Sequence, residues 1–292
     1  MISLINSDAG RIPLVDYTKY DLVHVGISGG KDSQAVFHWM RNFSDCSPEK
    51  IIASFCDTKN EHDLTYQHIE YMRQTIGPIE TISAELGFYE LAKRKKRFPS
   101  IKGRFCTQYL KMQVTQRYLL DFMRAGKIIL LITGVRKAES LKRLKLEAFG
   151  FDMFYGQDIY RPILDWSTEQ VFQYIKDQGM HHNPLYDYGA RRVGCFPCIN
   201  SVKKEIRIIS EKFPERIDMI REQEKKIGAS FFSSEYVPVA HRKHIFTSNG
   251  KDWRIANIDD VVEWSHTARG GKQFEMDLDE PFACDSSLGH CE

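Results

Sequence analysis

The chain has 292 residues, of which 42% are apolar and 27% charged, and its formal net charge is +2. That balance gives no overall pull toward nucleic acid or a membrane surface, and no run of about 18 apolar residues exists to cross a bilayer. The length suits one large domain or a domain with an appendage, and the opening Met-Ile-Ser-Leu-Ile-Asn-Ser-Asp lacks the basic and apolar regions of a signal peptide, so a cytoplasmic protein with reduced thiols is expected.

Residues 1–20 are polar and read as a loop or short extension. Leu22, Val23, Val25 and Ile27 form a short buried strand pattern. Ser28 to Lys31 reads as a tight glycine turn. Asp32 and Ser33 are suited to cap a helix whose apolar face is Ala35, Val36, Trp39 and Met40. A strand, a glycine turn and a helix N-terminus together make an anion site: glycine lets the backbone approach, N–H groups point outward, and the helix dipole favours negative charge. Lys31 adds a point charge and Ser33 a hydroxyl. The Walker spacing Gly-x4-Gly-Lys-Ser/Thr does not fit. Val25 stands where its first glycine belongs, and Asp32 takes the Ser/Thr position.

A turn with Pro48 leads to a second strand, Ile51 to Phe55, which ends in Cys56-Asp57-Thr58-Lys59-Asn60-Glu61. In an open parallel sheet ligands sit beyond the carboxyl ends of the strands, so two successive strands ending in polar residues outline a site. Asn60 or Asp63 is the expected cap of a helix over residues 62–76, which Gly77-Pro78 stops. Ile79 to Ser83 is a third strand, and Phe88 to Lys93 is helical. Lys93 to Arg97 are five consecutive basic residues, with Lys102 and Arg104 beyond. They read either as a solvated face or as an anion-binding lip for a phosphorylated substrate or a nucleic-acid backbone.

Cys106 precedes a helix expected over Gln108 to Arg124, and a thiol at a helix N-terminus is expected to ionise more readily. Ile128 to Thr133 is apolar without alternation, as a strand buried on both faces should be. It ends in Gly134-Val135-Arg136-Lys137-Ala138-Glu139-Ser140, with Arg143 beyond. An arginine there offers a fork for phosphate or sulfate that lysine lacks. The aromatic stretch 150–165 falls at the end of the sheet. Ser167 or Thr168 caps the next helix, with Trp166 in the core. Adjacent His181 and His182 point different ways and make poor joint metal ligands. Two charged helices separated by Pro214 follow, then a loop over 228–252 and a short helix or strand over 259–264.

Seven cysteines in a reducing setting point to metal or redox chemistry more than to disulfides. Cys195-x-x-Cys198 lets two thiolates face one metal, and Cys106, Cys284 and Cys291 are candidates for the other ligands. A [4Fe–4S] cluster on four of these five, a zinc ion, and free redox-active thiols are the competing readings. Cys46 and Cys56 read as core residues.

Ser28 to Ser33 matches at every position the Ser-Gly-Gly-x-Asp-Ser PP-loop of the N-type ATP pyrophosphatases. Arg104-x-Cys106-Thr107, Gly134-x-Arg136-x-x-Glu139-Ser140, the Asp165-Trp166-Ser167 helix start and Asn183-Pro184-Leu185-Tyr186 extend the resemblance, which is closest to the phosphoadenylyl-sulfate (PAPS) reductase-like branch. It spans about residues 20–212 plus the tail cysteines. The resemblance implies an α/β fold, a twisted, mostly parallel sheet of about five strands with helices on both faces (adenine nucleotide alpha hydrolase-like) and a helical and loop C-terminal part. It divides the chain at residue 212 into a PP-loop domain, 1–212, and a C-terminal region, 213–292. It implies ATP or a sulfonucleotide with Mg²⁺, bound by Ser28, Gly29, Gly30, Lys31, Asp32, Ser33, Asp57, Thr58, Gly134 and Arg136, with Lys31, Asp32 and Arg136 in the chemistry. The reaction expected is transfer of AMP to an acceptor with release of pyrophosphate, in a setting of sulfur transfer. Sulfonucleotide reduction is the alternative, against which the order of Leu288-Gly289-His290-Cys291-Glu292 counts, since reductases carry Glu-Cys-Gly-Leu-His. A nucleotide-bound partner in a nucleic-acid-modifying complex, in contact through Lys93 to Arg97, is the non-enzymatic alternative. No membrane partner is expected, and a homodimer is left open.

Overall fold

The structure, a computed structural model, describes residues 15–248 and 250–268. In chain order it runs β1 (Leu22–Ile27), α1 (Lys31–Asn42), β2 (Ile51–Asp57), α2 (Asp63–Thr75), β3 (Glu80–Ser83) and α3 (Phe88–Lys95). A helical turn α4 (Phe105–Thr107) passes through a π turn (Gln108–Met112) into α5 (Gln113–Arg124). Then come β4 (Ile129–Ile132), β5 (Phe149–Asp152), β6 (Gln157–Tyr160), α6 (Thr168–Asp177), α7 (Lys203–Lys212), α8 (Pro214–Ile227), β7 (His244–Ser248), β8 (Lys251–Ile255) and α9 (Ile258–Ser265).

Six strands form one sheet in the order β3-β2-β1-β4-β6-β5. All neighbours pair in parallel except the edge strand β5, which runs antiparallel to β6. The sixth strand exceeds the five expected because Phe149–Asp152 turns back on β6. Successive strand residues face opposite sides, and the apolar residues sort accordingly. Val23, Val25, Ile27, Ala53, Phe55, Leu130 and Ile132 pack against α1, α2 and α6 through Val36, Met40, Ile69, Met72 and Val171. Leu22, Ile52, Ile129 and Leu131 pack against Leu119 and Phe122 of α5 on the other face. Covered on both sides, the central strands need continuous apolar runs, which is what Ile129–Ile132 supplies.

A second core joins α3 (Phe88, Leu91) and Phe105 to α7, α8 and α9 through Ile206, Ile209, Ile217, Ile220, Ile258 and Trp264. Residues 259–264 are therefore helix. The stretch expected to be loop over 228–252 contains most of the two-stranded β7–β8 ribbon. His62, not Asn60 or Asp63, caps α2, its ring accepting from the Leu64 N–H. Among the described residues no helix is long and apolar enough to cross a membrane.

The chain order of strands reverses direction between β1 and β4. The loops after these two strands therefore leave the sheet on either side of one crevice, the position where doubly wound sheets bind ligands.

Candidate active site

The loop after β1 closes on itself. The Ser28 N–H donates to Ser33 Oγ at 3.2 Å, the Gly30 N–H donates to Ser28 Oγ at 3.2 Å, and the Ser33 hydroxyl donates to the Gly30 carbonyl at 3.0 Å. Gly29 sits at φ +82°, and a Cβ there would lie 2.8 Å from Thr65 Cγ2. Both the backbone conformation and the space demand glycine. Gly30, rather than Asp32 or Ser33, is the N-cap of α1, and no side chain caps the helix. The positive end of the α1 dipole meets the crevice, where the Tyr186 hydroxyl takes the Lys31 N–H. Asn183 braces the loop from outside, its amide donating to the Gly29 carbonyl at 3.1 Å.

Asp32, in the first turn of α1, is fully buried. Lys31 Nζ lies 2.6 Å from one carboxylate oxygen and Arg136 Nε 2.7 Å from the other. Arg136 reaches Asp32 because β4 ends at Ile132 beside β1, and its guanidinium also donates to the Trp166 carbonyl at 3.3 Å. Glu139 accepts from the Arg136 N–H at 3.0 Å and is ion-paired with Arg143. Gly134 is buried between β4 and Arg136. Lys31 and Arg136 open on a cavity of about 560 Å³, lined also by Phe172, Tyr186, Arg191 and Arg192. Lys31 Nζ stands 5.6 Å from the Tyr186 ring centre, and the Tyr186 hydroxyl accepts from the Lys31 N–H at 3.2 Å. Four cations and two aromatic rings around one cavity suit a polyanion attached to a planar ring.

Arg191, Arg192, Phe172 and Tyr186 were not among the residues expected at this site. The pair of arginines next to Cys195 was the available signal, since a double cation between a glycine and a CxxC has no core role.

The end of β2 faces elsewhere. Glu61 is buried and accepts from the Thr58 N–H, the Thr58 hydroxyl at 2.7 Å and the Asn60 N–H. Asp57 accepts from the Tyr66 hydroxyl at 2.8 Å and from the Lys59 N–H. Neither Asp57 nor Thr58 lines the large cavity. Lys59 has φ +59°, a conformation in which glycine is unstrained. Burial raises the Glu61 pKa, the Lys111 ammonium and the Thr58 hydroxyl opposing it.

Thr58 belongs to a second, smaller cavity of about 70 Å³, whose lining includes Cys106, Cys195, Cys198 and Lys111. Cys195 Sγ lies 3.4 Å from Thr58 Oγ1 and 3.9 Å from Glu61. The two cavities share Ala190 and Arg192, so the thiols adjoin the cationic chamber. Burial pushes the Cys195 thiol up to about 12 even with Lys111 beside it. It also raises Cys106, with Cys198 adding to the shift. The lowered pKa expected for Cys106 at a helix N-terminus is therefore corrected: desolvation outweighs the helix end. Burial alone would lower Lys111, but Cys195, Glu61, Cys198 and Cys56 around it carry its pKa upward. Cys46 and Cys56 are buried core residues, as read from the sequence. Among the described residues no group of three or more His, Cys, Asp or Glu side chains is arranged to hold a metal ion. These residues alone do not make a metal centre, and Cys284 and Cys291 lie outside the described residues.

A parallel sheet with a Ser-Gly-Gly-Lys-Asp-Ser loop at its switch point defines a PP-loop α/β domain. Residues 23–201 match the model of the phosphoadenosine phosphosulfate reductase domain family, and the chain belongs to that family. An uncharacterized 37.8 kDa protein of Escherichia phage 186 is 30% identical, over 86% of this chain and 90% of that protein. The adenosine 5′-phosphosulfate reductase of a Neisseria meningitidis serogroup A strain is 39% identical over 72 residues, 25% of this chain and 30% of that enzyme. Among solved structures, the phosphoadenylyl-sulfate reductase of Candida auris in its phosphate complex aligns with a TM-score of 0.48 at 16% identity, covering 62% of this chain and 84% of that one.

Proposed function

We propose that this protein is an enzyme that binds ATP in the large cavity and transfers its AMP moiety to an acceptor, releasing pyrophosphate. The observation that carries this reading is the buried Lys31–Asp32–Arg136 set at the start of α1, opening on a cationic cavity. Ser28 to Ser33 hold the β- and γ-phosphates, and Gly134 lets the backbone approach the nucleotide. Lys31 and Arg136 neutralise charge on the triphosphate, and Asp32 holds both cations in place. An acceptor oxygen attacks the α-phosphorus. Its bond to phosphorus forms as the bond to the β-bridging oxygen breaks, and that electron pair leaves with pyrophosphate. Positioning and electrostatics lower the barrier, with no protein nucleophile required. Mg²⁺ would arrive with the triphosphate and share its charge, because Asp32 and Glu139 are both occupied by arginine or lysine. Thr58, away from this cavity, serves through the thiol side, and Asp57 holds the loop after β2. A cluster or zinc on Cys106, Cys195 and Cys198 would need Cys284 or Cys291 to complete it.

A second reading, sulfonucleotide reduction, is favoured by the thiols that adjoin the cationic chamber through Arg192. Calorimetric titrations of the full chain with ATP·Mg²⁺ and with adenosine 5′-phosphosulfate separate the two. ATP binding that weakens at least tenfold in Arg136→Ala supports the first. Binding of the sulfonucleotide alone, followed by sulfite release with a dithiol, overturns it in favour of the second. Nucleotide binding with neither pyrophosphate nor sulfite released favours a non-enzymatic partner, for which the exposed Lys93 to Arg97 offer a contact.

A further inference from the structure

The central sheet ends differently on its two sides. At one edge β3 exposes Glu80, Thr81 and Ser83 and buries only Ile82. Polar side chains of that kind deter a further strand. At the other edge β5 reads Phe149-Gly150-Phe151-Asp152, with no lysine, no proline and an unbroken register along β6. Phe149 and Phe151 lie on one face, 40% and 58% exposed, and the turn that follows leaves Met153 86% and Phe154 36% exposed. An edge that is apolar and unguarded invites pairing.

The backbone of that edge is set for it. The Arg161 N–H donates to the Ala148 carbonyl at 2.7 Å, and Tyr160 turns its carbonyl to the Thr133 N–H on the β4 side at 3.2 Å. In an antiparallel ladder, bonded and non-bonded pairs alternate. Gly150 and Asp152 therefore turn their N–H and C=O groups to β6, whereas Phe149 and Phe151 present theirs to the open edge. Among the described residues no strand lies beyond them.

We infer that β5 pairs with β5 of a second copy of this chain across a twofold axis at Gly150, joining two sheets into one. Identical edge strands related by such an axis run antiparallel and present one patch to itself. Each Phe149 exchanges N–H···O=C bonds with Phe151 of the other copy, and their rings form a cross-strand aromatic pair. Gly150 meets Gly150 at the non-hydrogen-bonded position, where the strands approach most closely. The open groups and the rings are thus each other's complement, which a copy supplies and an arbitrary strand does not. Charge agrees. Arg161 is buried, its Nη1 lies 3.6 Å from where a Gly150 Cβ would stand, and its Nε has no hydrogen-bond partner among the described residues. The axis brings Asp152 of the second copy opposite Ala148, the ladder neighbour of Arg161, so a carboxylate approaches each guanidinium. Area agrees as well. At about 200 Å² for a large apolar side chain, Phe149, Phe151, Met153 and Phe154 leave roughly 400 Å² uncovered on each copy. Pairing takes roughly 800 Å² from these side chains alone, close to the ~1,000 Å² of a specific interface before backbone and flanking loops count. The inference is independent of the nucleotide chemistry, since none of these residues lines the large cavity.

The test is sedimentation velocity of the full chain over a concentration series. The expected result is a dimer that dissociates on dilution. Phe149→Lys/Phe151→Lys sets like charges directly opposite across the axis and should raise the dimer dissociation constant at least about tenfold. Phe151→Pro removes an N–H that points away from β6 and should act the same way. Far-ultraviolet circular dichroism of both variants should match the wild type, because the β5–β6 ladder keeps its bonds. Gly150→Cys checks the register. Its Cβ makes only ordinary contact with Arg161, and oxidation should link position 150 of the two copies, seen as a cross-linked peptide by mass spectrometry. A dimer that both edge variants leave intact, or one with no cross-link at position 150, would overturn the inference. So would a monomer at every concentration, which would hand the edge to a strand of a different protein.

Discussion

The Asp32 carboxylate and the Arg136 guanidinium are 104 positions apart in sequence and 2.7 Å apart in the fold. Lys31 closes the other side of the same carboxylate at 2.6 Å, and Asp32 itself has no solvent exposure. One acid therefore holds two cations at the mouth of a cavity, and each cation loses its counter-charge if the acid is lost.

Asp32→Asn should expose that dependence. Breaking a buried ion pair from one side costs about 3–5 kcal/mol, because the remaining charge is left uncompensated. A urea unfolding midpoint that drops accordingly is expected, together with weaker ATP binding. Arg136→Lys keeps the charge but loses the fork that reaches both Asp32 and the Trp166 carbonyl. Its stability loss should be smaller and its loss of affinity at least tenfold. Wild-type affinity in Arg136→Lys would mean that charge alone matters there.

Gly29→Ala meets two obstacles: the left-handed backbone at φ +82° and the 2.8 Å approach to Thr65 Cγ2. A left-handed non-glycine residue costs on the order of 1–2 kcal/mol, and the clash adds to it. Thr65→Ser removes the methyl but keeps the hydroxyl that Asn183 donates to. The double variant Gly29→Ala/Thr65→Ser should thus recover part, not all, of the stability lost in Gly29→Ala. Full recovery in thermal melts would show that the backbone conformation carries no strain.

The anion loop was legible because its chemistry is local: six consecutive residues specify a turn and a helix start. The central strands were legible because burial on both faces leaves unbroken apolar runs. Arg191 and Arg192 were not, because nothing local says that a segment after α6 returns to the mouth of β1. The β7–β8 ribbon was missed although Asn249-Gly250 is a strong hairpin signal in the sequence. Its flanks do not alternate polar and apolar, since neither face is buried, and periodicity carries no message where there is no core to face. The raised pKa of Cys106 was not legible for another reason: the burial that sets it comes from Cys195 to Ile209, far off in sequence.

Glu224 makes stability depend on pH. It is partly buried in the last turn of α8 and accepts from the Phe231 and Ile258 N–H groups at 2.7 and 2.8 Å. Burial pushes its pKa up to about 7, against the two hydrogen bonds. A carboxyl raised by folding contributes stability that is complete below its unfolded pKa, about 4.5, and is lost as pH rises through about 7. Relative to Glu224→Gln, the wild type should lose roughly 3 kcal/mol between pH 4.5 and pH 7.5. Urea titrations of both proteins at a series of pH values check this. Parallel profiles would mean that Glu224 is not the titrating group.

The thiols offer a direct contest between two effects. A helix N-terminus favours a thiolate by about 0.3–1 kcal/mol, less than one pKa unit, whereas burial of an ionisable group reaches several units. Cys106 sits in a single turn, Phe105–Thr107, that runs into a π turn, and its pKa is raised. Cys195, pushed up to about 12, carries almost no thiolate at neutral pH. Iodoacetamide at pH 7.5 should therefore label both at least about a hundredfold more slowly in the native chain than in guanidinium, as followed by peptide mass spectrometry. Lys111→Met removes the cation that partly offsets the burial of Cys195, and should slow its labelling further. Native labelling of Cys106 within a few-fold of the unfolded rate would mean that the helix end outweighs desolvation after all.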